Sequence, residues 1–378
     1  MSIISRKVLI ISASVGDGHT QAANAIRDEL ICISPSADIK VVDFLDQTNS
    51  LGRLIKEAYL KMIDFFPNVY DFLYHWSQET YSGTSIKNIT AYLMKMKLLQ
   101  LLQNYTPDLL VFTHPFPCCT AAYLRRTRQL ATPLVAVTTD FSAHEMWIHA
   151  EIDQYFVANH EIKAFLAKRG ISTKRIFVSG IPISPKFTNF QSSISRKTAN
   201  MPIILIMGGG LGLGAVEETV VNLQAAKTKI HIVVVTGKNK KLQKNLLNLK
   251  AKTFLTHPLT VIGYTEHIHK LMAKSIMLMT KPGGLTCSEA LAMELPILLL
   301  KPLPGQEEEN ADFLTRQGVA LQLSVSLTPI VEKLLQQPQI LQDMQSKARA
   351  LRQPDAANHV ANRLSACIDN PNTLFPAS

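Results

Sequence analysis

The chain has 378 residues, 47% of them hydrophobic, which predicts two domains with real cores and excludes a disordered chain. Its formal net charge of +10 predicts an anionic partner, which charge alone does not narrow to a nucleic acid, a nucleotide phosphate or an acidic membrane face. The five cysteines form no C-x-x-C pair, so the sequence predicts a reducing compartment and no disulfide framework.

The sequence also predicts that any membrane association is peripheral. No stretch offers the roughly 18 uninterrupted apolar residues that a spanning helix needs. The N-terminal apolar run ends at a glycine loop and is too short for a signal peptide.

The first predicted strand, at residues 7–12 (KVLIIS), is a continuous apolar run typical of a parallel strand covered on both faces. It leads into the loop SASVGDGH and then into a helix with apolar residues at helical spacing. A G-x-G after a first strand is weakly specific, because many α/β domains begin this way. His19 follows Gly18 at the mouth of the helix, where it is either a catalytic histidine or an ordinary helix-start residue.

A second strand is predicted at residues 39–43, and the segment from about 51 to 105 is predicted to be helical and unusually rich in aromatic residues. Its aromatic side chains include Phe65, Phe66, Tyr70, Phe72, Tyr74 and Trp76, and its lysines include Lys56, Lys61, Lys87, Lys95 and Lys97. Basic residues interleaved with large apolar ones are typical of an element that lies in a lipid interface. A pair of ordinary core helices is the alternative.

Polar side chains follow the next predicted strands. The strand at 109–113 runs into a proline-stiffened loop, which places His114 on the rim of a cleft. A later loop between two strands carries Asp140, His144 and His149. Their spacing matches no zinc template, so the sequence predicts no metal site there.

The polar residues 191–201 are typical of a linker, after which the pattern of strand, glycine loop and helix begins again. The strand at 202–207 runs into GGGLGLGAVEETVVNL, where three consecutive glycines let backbone N–H groups approach a pyrophosphate. No Gly-Lys-Ser/Thr follows, which argues against a kinase or a P-loop NTPase. Lys238, after the next strand, is either a phosphate ligand or part of a solvated basic helix.

Residues 278–314 predict half of a nucleotide-binding βαβ unit, with a glycine turn at 283–284 where a ligand can approach the backbone. After a second buried strand come Gln306, Glu307 and Asn310, at the carboxyl edge where open parallel sheets bind ligands. A run of glutamates is usually a solvated helix start. Because this run follows Pro-Gly-Gln at the correct edge, recognition of sugar hydroxyls is favoured.

The helix of this unit is predicted from about residue 286 to residue 293. The hydroxyls of Thr286 and Ser288 are expected to cap it and to leave its first N–H groups facing an anion. Glu289 falls at the capping-box position, where it either bonds to the helix backbone or accepts hydrogen bonds from a ribose.

The stretch KPGGLTCSEALAMELPILLLKPLPGQEEENADFL resembles the sugar-nucleotide signature of glycosyltransferase family 28, in the branch of diacylglycerol glucosyltransferases and monogalactosyldiacylglycerol synthases. The loops SASVGDGH and TDFSAHEMW are similar to the family's SASxGxGH and Thr-Asp-x-x-x-His-x-x-Trp patterns. The resemblance covers nearly the whole chain. It implies an α/β protein of GT-B architecture, with two Rossmann-like domains facing a cleft.

The resemblance also implies how the chain is divided. Residues 1–190 are expected to form an acceptor- and membrane-binding domain, and 191–201 the linker. Residues 202–350 are expected to form the UDP-sugar-binding domain. A C-terminal helix within 351–378 is expected to cross back to the first domain.

The resemblance implies that His19 is the catalytic base, a role that its unperturbed pKa of about 6.5 suits. The sequence alone does not separate it from His114 and His144. The expected acceptor-binding residues are Gly16, Gly18, His114, Asp140, His144 and Trp147, the last to stack on a sugar or glycerol. The expected nucleotide-sugar-binding residues are Gly209, Gly210, Gly212, Lys238, Asn239, Tyr264, Lys281, Gly283, Gly284, Leu285, Thr286, Glu289, Gln306, Glu307 and Asn310. Uracil is expected at Tyr264, ribose at Glu289, and the sugar at Gln306 with Glu307 or Asn310.

The implied reaction is an inverting transfer of a hexose from a UDP-sugar to diacylglycerol or a glycosyl-diacylglycerol, making a β-glycolipid. Glucose is favoured over galactose and N-acetylglucosamine. No D-x-D motif is present, so no metal or cofactor is expected, and helix N-termini are expected to stabilise the leaving diphosphate. The expected partners are the UDP-hexose, the lipid and an anionic membrane surface, at the cytoplasmic face of the cell membrane, and no nucleic acid.

Two alternatives remain open from the sequence. One is transfer of N-acetylglucosamine from its UDP form to a polyprenyl-linked acceptor. The other is a catalytically silent regulator that binds a lipid or a nucleotide. Processivity and oligomeric state are not predicted.

Overall fold

The structure is a computed structural model of the chain. It describes residues 6–13, 17–45, 80–188, 201–209, 212, 215–303, 305–323 and 327–369, with the side chains of 80–90 and of Leu93 outside the description. The aromatic residues Phe65 to Trp76, predicted to lie in a lipid interface, fall outside the described residues.

The described residues form parallel strands alternating with helices, as in α/β proteins. The strands are β1 (Lys7–Ser12), β2 (Asp38–Asp43), β3 (Leu109–Phe112), β4 (Leu134–Val137), β5 (Gln154–Val157), β6 (Ile176–Val178), β7 (Ile203–Met207), β8 (His231–Val235), β9 (Leu259–Ile262), β10 (Met277–Thr280), β11 (Ile297–Leu299) and β12 (Ala320–Gln322). The helices are α1 (Asp17–Ile33), α2 (Thr80–Tyr105), α3 (Pro115–Arg126), α4 (His160–Lys168), α5 (Val216–Leu223), α6 (Lys240–Lys252), α7 (Ile268–Lys274), α8 (Gly284–Ala292), α9 (Gln306–Arg316), α10 (Leu327–Gln336), α11 (Pro338–Leu351) and α12 (Ala356–Asp369).

The chain divides into two compact units. The first takes Met1–Pro185, Pro304–Gln306 and Asp355–Ser378, and the second takes Lys186–Leu303 and Glu307–Pro354. Each unit is built on one six-stranded parallel sheet. The strand order is β2-β1-β3-β4-β5-β6 in the first unit and β12-β11-β10-β7-β8-β9 in the second.

The apolar runs of the sequence become the central strands of both sheets. β3, β4 and β5 are buried along their whole length, and β7 and β8 are buried except at their first residue. A parallel strand covered on both faces has no solvent side, so its residues are apolar in succession rather than in alternation.

The C-terminal helix α12 is part of the core of the first unit. Val360 and Leu364 of α12 pack in one apolar cluster with Ile26 of α1, and the hydroxyls of Ser34 and Ser365 lie 2.7 Å apart. Full burial of an aliphatic side chain stabilises a fold by roughly 1.5–3 kcal/mol, so a few such contacts suffice to hold the helix on this unit.

The helix α2 carries exposed apolar side chains. Tyr92 is 59% exposed and Met96 is 67% exposed, four residues apart and therefore on one face of the helix. The ammonium of Lys95 lies 4.3 Å from the centroid of the Tyr92 ring. Across the part of the chain that the structure describes, no helix combines the length and the apolar character needed to span a bilayer.

Each sheet has one point where the strand order reverses. In the first unit β2 lies on one side of β1, and the next strand along the chain, β3, lies on the other side of β1. In the second unit β10 resumes beside β7 in the same way. Ligands of open parallel sheets bind at the carboxyl ends of the strands at such a point, so the residues after β1 and β3, and after β7 and β10, define the two candidate sites.

Candidate active site

His19 lies at the reversal point of the first sheet, in the first turn of α1. Its Nδ1 atom is 2.9 Å from the backbone oxygen of Thr113, which follows β3, and 2.7 Å from Oγ1 of Thr139, which follows β4. The hydroxyl of Thr113 donates in turn to the backbone oxygen of His19, at 3.0 Å. Because a carbonyl oxygen can only accept, the Nδ1 atom carries the proton, and the lone pair of the neutral ring is on Nε2.

Burial lowers the pKa of His19, and the negative charge of Asp140 and the carbonyl of Thr113 oppose that shift in part. The ring is therefore neutral near pH 7. A neutral imidazole with its lone pair on Nε2 can accept a proton there. Its Nδ1 proton is hydrogen-bonded to the oxygen of Thr113.

His114 lies against His19, with the ring centroids 4.5 Å apart and the planes at 68°. It is the N-cap of α3, where its Nδ1 atom accepts a hydrogen bond of 3.2 Å from the N–H of Phe116. Burial first, and then repulsion from His19 when that ring is protonated, holds the pKa of His114 well below its usual value. His114 is thus a neutral ring with its Nδ1 lone pair engaged by the helix.

His144 is used in the same way as His114. It caps the 3₁₀ turn of residues 145–147, and its Nδ1 atom accepts a hydrogen bond of 3.1 Å from the N–H of Met146. Of the three histidines between which the sequence does not decide, His19 is the one whose Nδ1 atom donates to a carbonyl. That observation favours His19 as the base.

Trp147 is only 1% exposed and belongs to the core of the first unit. Its backbone oxygen accepts a hydrogen bond of 3.0 Å from the hydroxyl of Tyr155. The prediction that its ring stacks on a sugar or glycerol does not fit this position, because a buried indole offers no free face. Of the two predicted glycines of this site, Gly18 is in the first turn of α1, and Gly16 lies outside the described residues.

The second candidate site lies at the reversal point of the other sheet. Gly209 follows β7 with φ of +69°, and a Cβ atom there would stand 3.3 Å from Cε of Lys281, which follows β10. The glycine loop and the Lys-Pro-Gly-Gly turn, far apart in the sequence, are therefore in contact. Gly210 is outside the described residues.

Gly212 and Asn239 support this loop from behind. Gly212 has φ of +59°, and a Cβ atom there would come within 2.3 Å of the backbone oxygen of Thr236. The side chain of Asn239 caps α6 by accepting from the N–H of Leu242 at 2.9 Å and donates to the oxygen of Gly212 at 3.1 Å. Asn239, predicted to bind the nucleotide, is thus engaged in holding the loop.

The helix α8 begins at Gly284, with Gly283 as its N-cap, and no side chain caps it. The prediction that the helix starts at about Thr286 with Thr286 and Ser288 as caps is wrong. β10 ends at Thr280, and a three-residue turn leads directly into the helix, which starts two residues sooner than predicted. Its first internal hydrogen bond joins the N–H of Cys287 to the oxygen of Gly283, at 3.0 Å.

The start of α8 has no side-chain cap, which leaves its first N–H groups available to an anion. The N–H groups of Gly284, Leu285 and Thr286 precede the first internal hydrogen bond, and they carry the positive end of the helix dipole. A phosphate satisfies such groups without a side-chain cap.

Glu289 lies in the second turn of α8, so its predicted place in a capping box is also wrong. The side chain is partly buried, and burial raises the pKa of its carboxyl group to about 8. Near pH 7 the free protein therefore carries a neutral carboxyl group at this position.

The first turns of α9 hold the Lys-Pro-Gly-Gly turn in place. Glu307 forms an ion pair with Lys281 and accepts a hydrogen bond of 3.0 Å from the N–H of Leu303. Asn310 is fully buried and donates to the oxygen of Pro282 at 3.0 Å. Lys281 is therefore positioned by a carboxylate, and Asn310 is engaged by the backbone rather than exposed to a ligand.

The remaining predicted ligands follow other elements of the fold. Tyr264 follows β9 and is 56% exposed, with the ammonium of Lys238 5.9 Å from the centroid of its ring. Gln306 is the first residue of α9 and is partly buried. Within the ranges that the structure describes, no group of three or more His, Cys, Asp or Glu side chains is arranged to hold a metal ion.

Sequence reasoning did not single out Thr113 and Thr139, which contact His19. Each follows a buried strand, and a threonine at such a place is an ordinary residue until the fold brings it to His19. Two signals were available: both stand at the carboxyl end of a parallel strand, and Thr139 is the first residue of the TDFSAHEMW motif.

Two family models match the chain. One is described as monogalactosyldiacylglycerol (MGDG) synthase and covers residues 19–183, and the other is the glycosyltransferase family 28 C-terminal domain, over residues 203–366. A processive diacylglycerol beta-glucosyltransferase of Bacillus cereus (strain AH187) is 32% identical over 369 residues, which cover 95% of this chain and 93% of the relative. A protein of the same name from Bacillus anthracis (strain CDC 684 / NRRL 3495) is 31% identical over 374 residues, with 95% and 93% covered.

Solved structures share the fold at low identity. MurG of Acinetobacter baumannii has a TM-score of 0.63 at 16% identity, over 96% of this chain and 99% of that chain. CalG4, the calicheamicin glycosyltransferase, has a TM-score of 0.61 at 14% identity, over 97% of this chain and 99% of that chain.

The two parallel sheets and these likenesses define the class, a UDP-sugar-dependent glycosyltransferase with the GT-B fold. The predicted fold class is confirmed. Because the family models and the curated relatives together span nearly the whole length, the chain belongs to glycosyltransferase family 28, in the branch of the MGDG synthases and processive diacylglycerol beta-glucosyltransferases. The predicted family is confirmed as well.

Proposed function

We propose that this glycosyltransferase moves glucose from UDP-glucose to diacylglycerol, or to a glycosyl-diacylglycerol, with inversion at the anomeric carbon. Membership of the family and the names of the curated relatives support the donor and the acceptor. The single observation that carries the chemistry is the hydrogen bond from Nδ1 of His19 to the carbonyl of Thr113, because it leaves Nε2 free to accept a proton.

In the proposed reaction, Nε2 of His19 takes the proton of the acceptor hydroxyl as the hydroxyl oxygen attacks C1 of the glucose. The bond between C1 and the diphosphate oxygen breaks, and UDP leaves with the bonding electrons. Attack opposite to the leaving group converts the α-linked donor into a β-glucoside. The imidazolium that forms is stabilised by the carbonyl of Thr113 and by the charge of Asp140.

The leaving diphosphate is assigned to the start of α8 and to Lys281. The free N–H groups after Gly283 and the ammonium of Lys281 supply positive charge where UDP gains negative charge. Glu307, which now pairs with Lys281, keeps that ammonium in place. We assign no metal to this step.

The other parts of the donor are assigned from the exposure of the predicted residues and from the contacts that those residues already make. Uracil goes to Tyr264, whose ring is exposed, and ribose goes to the carboxyl group of Glu289. The glucose is assigned to Gln306 with Glu307, because a carboxylate has about four lone pairs and can accept from a sugar hydroxyl while it contacts Lys281 and the N–H of Leu303. Asn310 is assigned to holding the turn, because its amide is buried against the oxygen of Pro282.

The acceptor is proposed to be reached from an anionic membrane, at the cytoplasmic face. The exposed Tyr92 and Met96 of α2, with Lys95 between them, support an interfacial helix face. Cationic side chains beside exposed apolar ones favour anionic lipids.

A donor panel tests the proposal. Transfer is measured from radiolabelled UDP-glucose, UDP-galactose and UDP-N-acetylglucosamine to diacylglycerol in mixed vesicles, with and without EDTA. We expect a glycolipid from UDP-glucose at a rate that EDTA does not change. A product from another donor alone would replace glucose, and loss of the product with EDTA would show that a metal is required.

A further inference from the structure

Thr139 is the side chain that touches the proposed base most closely. Its Oγ1 atom lies 2.7 Å from Nδ1 of His19, on the same nitrogen that is 2.9 Å from the oxygen of Thr113. Thr139 is 4% exposed, so this contact is shielded from water. Thr139 is the first residue of the TDFSAHEMW motif, and the sequence analysis assigned it no role of its own.

A neutral imidazole has two tautomers, and only one of them serves a base that works through Nε2. With the proton on Nε2, the ring would turn a lone pair on Nδ1 toward the buried carbonyl oxygen of Thr113, and that oxygen would lose its donor. Leaving a buried acceptor unpaired costs about 1–3 kcal/mol. With the proton on Nδ1, the carbonyl oxygen and the Thr139 oxygen share one donor, as in a three-centre hydrogen bond.

We propose that Thr139 is a positioning residue for His19: together with the carbonyl of Thr113 it keeps the proton on Nδ1, and so keeps Nε2 available as the base. The inference rests on the proposed function, in which His19 is that base. It names the side chain that shares the Nδ1 proton with the carbonyl of Thr113, and so holds the ring in place.

The same contact acts after the proton has been transferred. Nδ1–H then belongs to a cation, and hydrogen bonds to a charged donor are stronger than neutral ones. The titratable groups that act on His19 from neighbouring elements are Asp140 and His114. Asp140 acts through its charge, and the neutral His114 presents its ring at 4.5 Å, so the oxygens in contact with Nδ1 are those of Thr113 and Thr139.

The neighbouring Thr138 provides a matched control. Thr138 is fully buried, and its Oγ1 atom makes no hydrogen bond to any described residue. Thr138→Val and Thr139→Val therefore remove the same hydroxyl from adjacent buried positions, and only the second removes a contact with His19.

Kinetics of the purified enzyme test the role. We expect Thr139→Val to lower kcat about 10- to 100-fold, because a hydrogen bond to a charged group contributes roughly 1.5–3 kcal/mol and each 1.4 kcal/mol is about a factor of ten, with KM for UDP-glucose unchanged. Thr139→Ser keeps the hydroxyl and should retain activity within a few-fold of wild type, and Thr138→Val should match wild type. In a His19→Ala background Thr139→Val should cost nothing further, because the two residues act as one unit.

Nitrogen NMR of histidine-labelled protein tests the tautomer without any turnover, so its result stands even if glucose is not the donor. The His19 signals are assigned by their loss in His19→Ala. We expect the proton on Nδ1 in wild type, in Thr139→Ser and in Thr139→Val, because the carbonyl of Thr113 remains in all three, and we expect the Nδ1 signal to shift only in Thr139→Val, where the proton loses its second acceptor. A proton on Nε2 in wild type, or a loss of kcat in Thr139→Val that persists in the His19→Ala background, would overturn the proposal.

Discussion

At the scale of single residues, burial sets the charge of the two groups on which the proposed chemistry depends. Burial lowers the pKa of His19 and raises the pKa of Glu289 to about 8. Both side chains are therefore neutral near pH 7, one as a base with a lone pair and the other as an acid with a proton. Burial disfavours the charged form of each group, so it lowers the pKa of a histidine and raises the pKa of a carboxyl group. Such shifts are common in active sites.

Glu289 predicts how donor binding depends on pH. If its carboxylate accepts the hydrogen bonds of the ribose hydroxyls, UDP-glucose binds the ionised form, and below pH 8 binding must release a proton. We expect the affinity to rise up to about tenfold per pH unit as pH increases toward 8, and then to level off. Calorimetry between pH 6.5 and 9 measures this, because the diphosphate diester of UDP-glucose does not titrate there.

The matched variant for this prediction is Glu289→Gln. It should bind UDP-glucose more weakly and with no dependence on pH over the same range. Proton uptake on binding to wild type, or an affinity that falls toward pH 8, would show that the protonated carboxyl group is the form that binds.

Glu289 also predicts how stability depends on pH. Its pKa in the folded protein lies above the ordinary value of 4.5, so between about pH 4.5 and pH 8 the folded chain keeps a proton that the unfolded chain releases. The free energy of unfolding therefore falls as pH rises through that window. Glu289→Gln should have a Tm advantage over wild type that is larger at pH 8.5 than at pH 5; an equal difference at both values would argue against the raised pKa.

At the scale of elements, the start of α8 shows whether the glycine at position 283 is required by the fold or by a ligand. Gly283 has a negative φ of −73°, and a Cβ atom there would meet nothing within 4 Å. The fold therefore does not require glycine at 283. A ligand that approaches this backbone closely does require a glycine there, because a side chain would stand in its way.

Gly283→Ala is predicted to leave the Tm unchanged and to weaken UDP-glucose binding by about tenfold or more, which corresponds to roughly 1.4 kcal/mol. Gly170→Ala is the control for the opposite pattern. Gly170 has φ of +88° with open space around it, so alanine there should cost about 1–2 kcal/mol of stability and leave binding unchanged. If Gly283→Ala bound UDP-glucose as wild type does, the diphosphate would not lie at this turn.

The sequence predicted those elements whose residue pattern has one dominant physical cause. The strands β1 and β7 follow from continuous apolar runs, because burial on both faces leaves one pattern available. The start of α8 was not predictable to the residue: hydroxyl caps are the usual signal, and here a Pro-Gly turn replaces them. Boundaries of this kind depend on how the preceding loop is held, which for α8 involves Asn310 from a later helix.

The candidate site was predictable in its motifs but not in its contacts. The SASVGDGH loop marks His19, yet nothing local shows that Thr139, 120 residues later, touches its ring. Trp147 was matched by a sequence pattern, but a pattern does not show whether a side chain is buried. The structure buries its indole. The tautomers of His19 and His114 likewise follow from tertiary hydrogen bonds and were out of reach of sequence reasoning.

At the scale of the whole molecule, the net charge of +10 and the exposed face of α2 predict binding to anionic vesicles. Co-sedimentation should increase with the fraction of anionic lipid and decrease with salt, because charges more than about 10 Å apart are screened at 0.1 M. Met96→Glu should reduce binding. Leu247→Glu, on the exposed face of α6 in the second unit at 46% exposure, is the control and should not. Equal loss in both variants would mean that general charge, and not the α2 face, drives binding.

The measurement that tests the central claim most directly is proton NMR of the lipid product formed from UDP-glucose and diacylglycerol in anionic vesicles. We expect a glucosyl-diacylglycerol whose anomeric proton shows the large coupling of a β-glucoside, formed about 10²- to 10⁴-fold more slowly by His19→Ala. An α-glucoside, or free glucose with the lipid unchanged, would contradict inverting transfer to this acceptor.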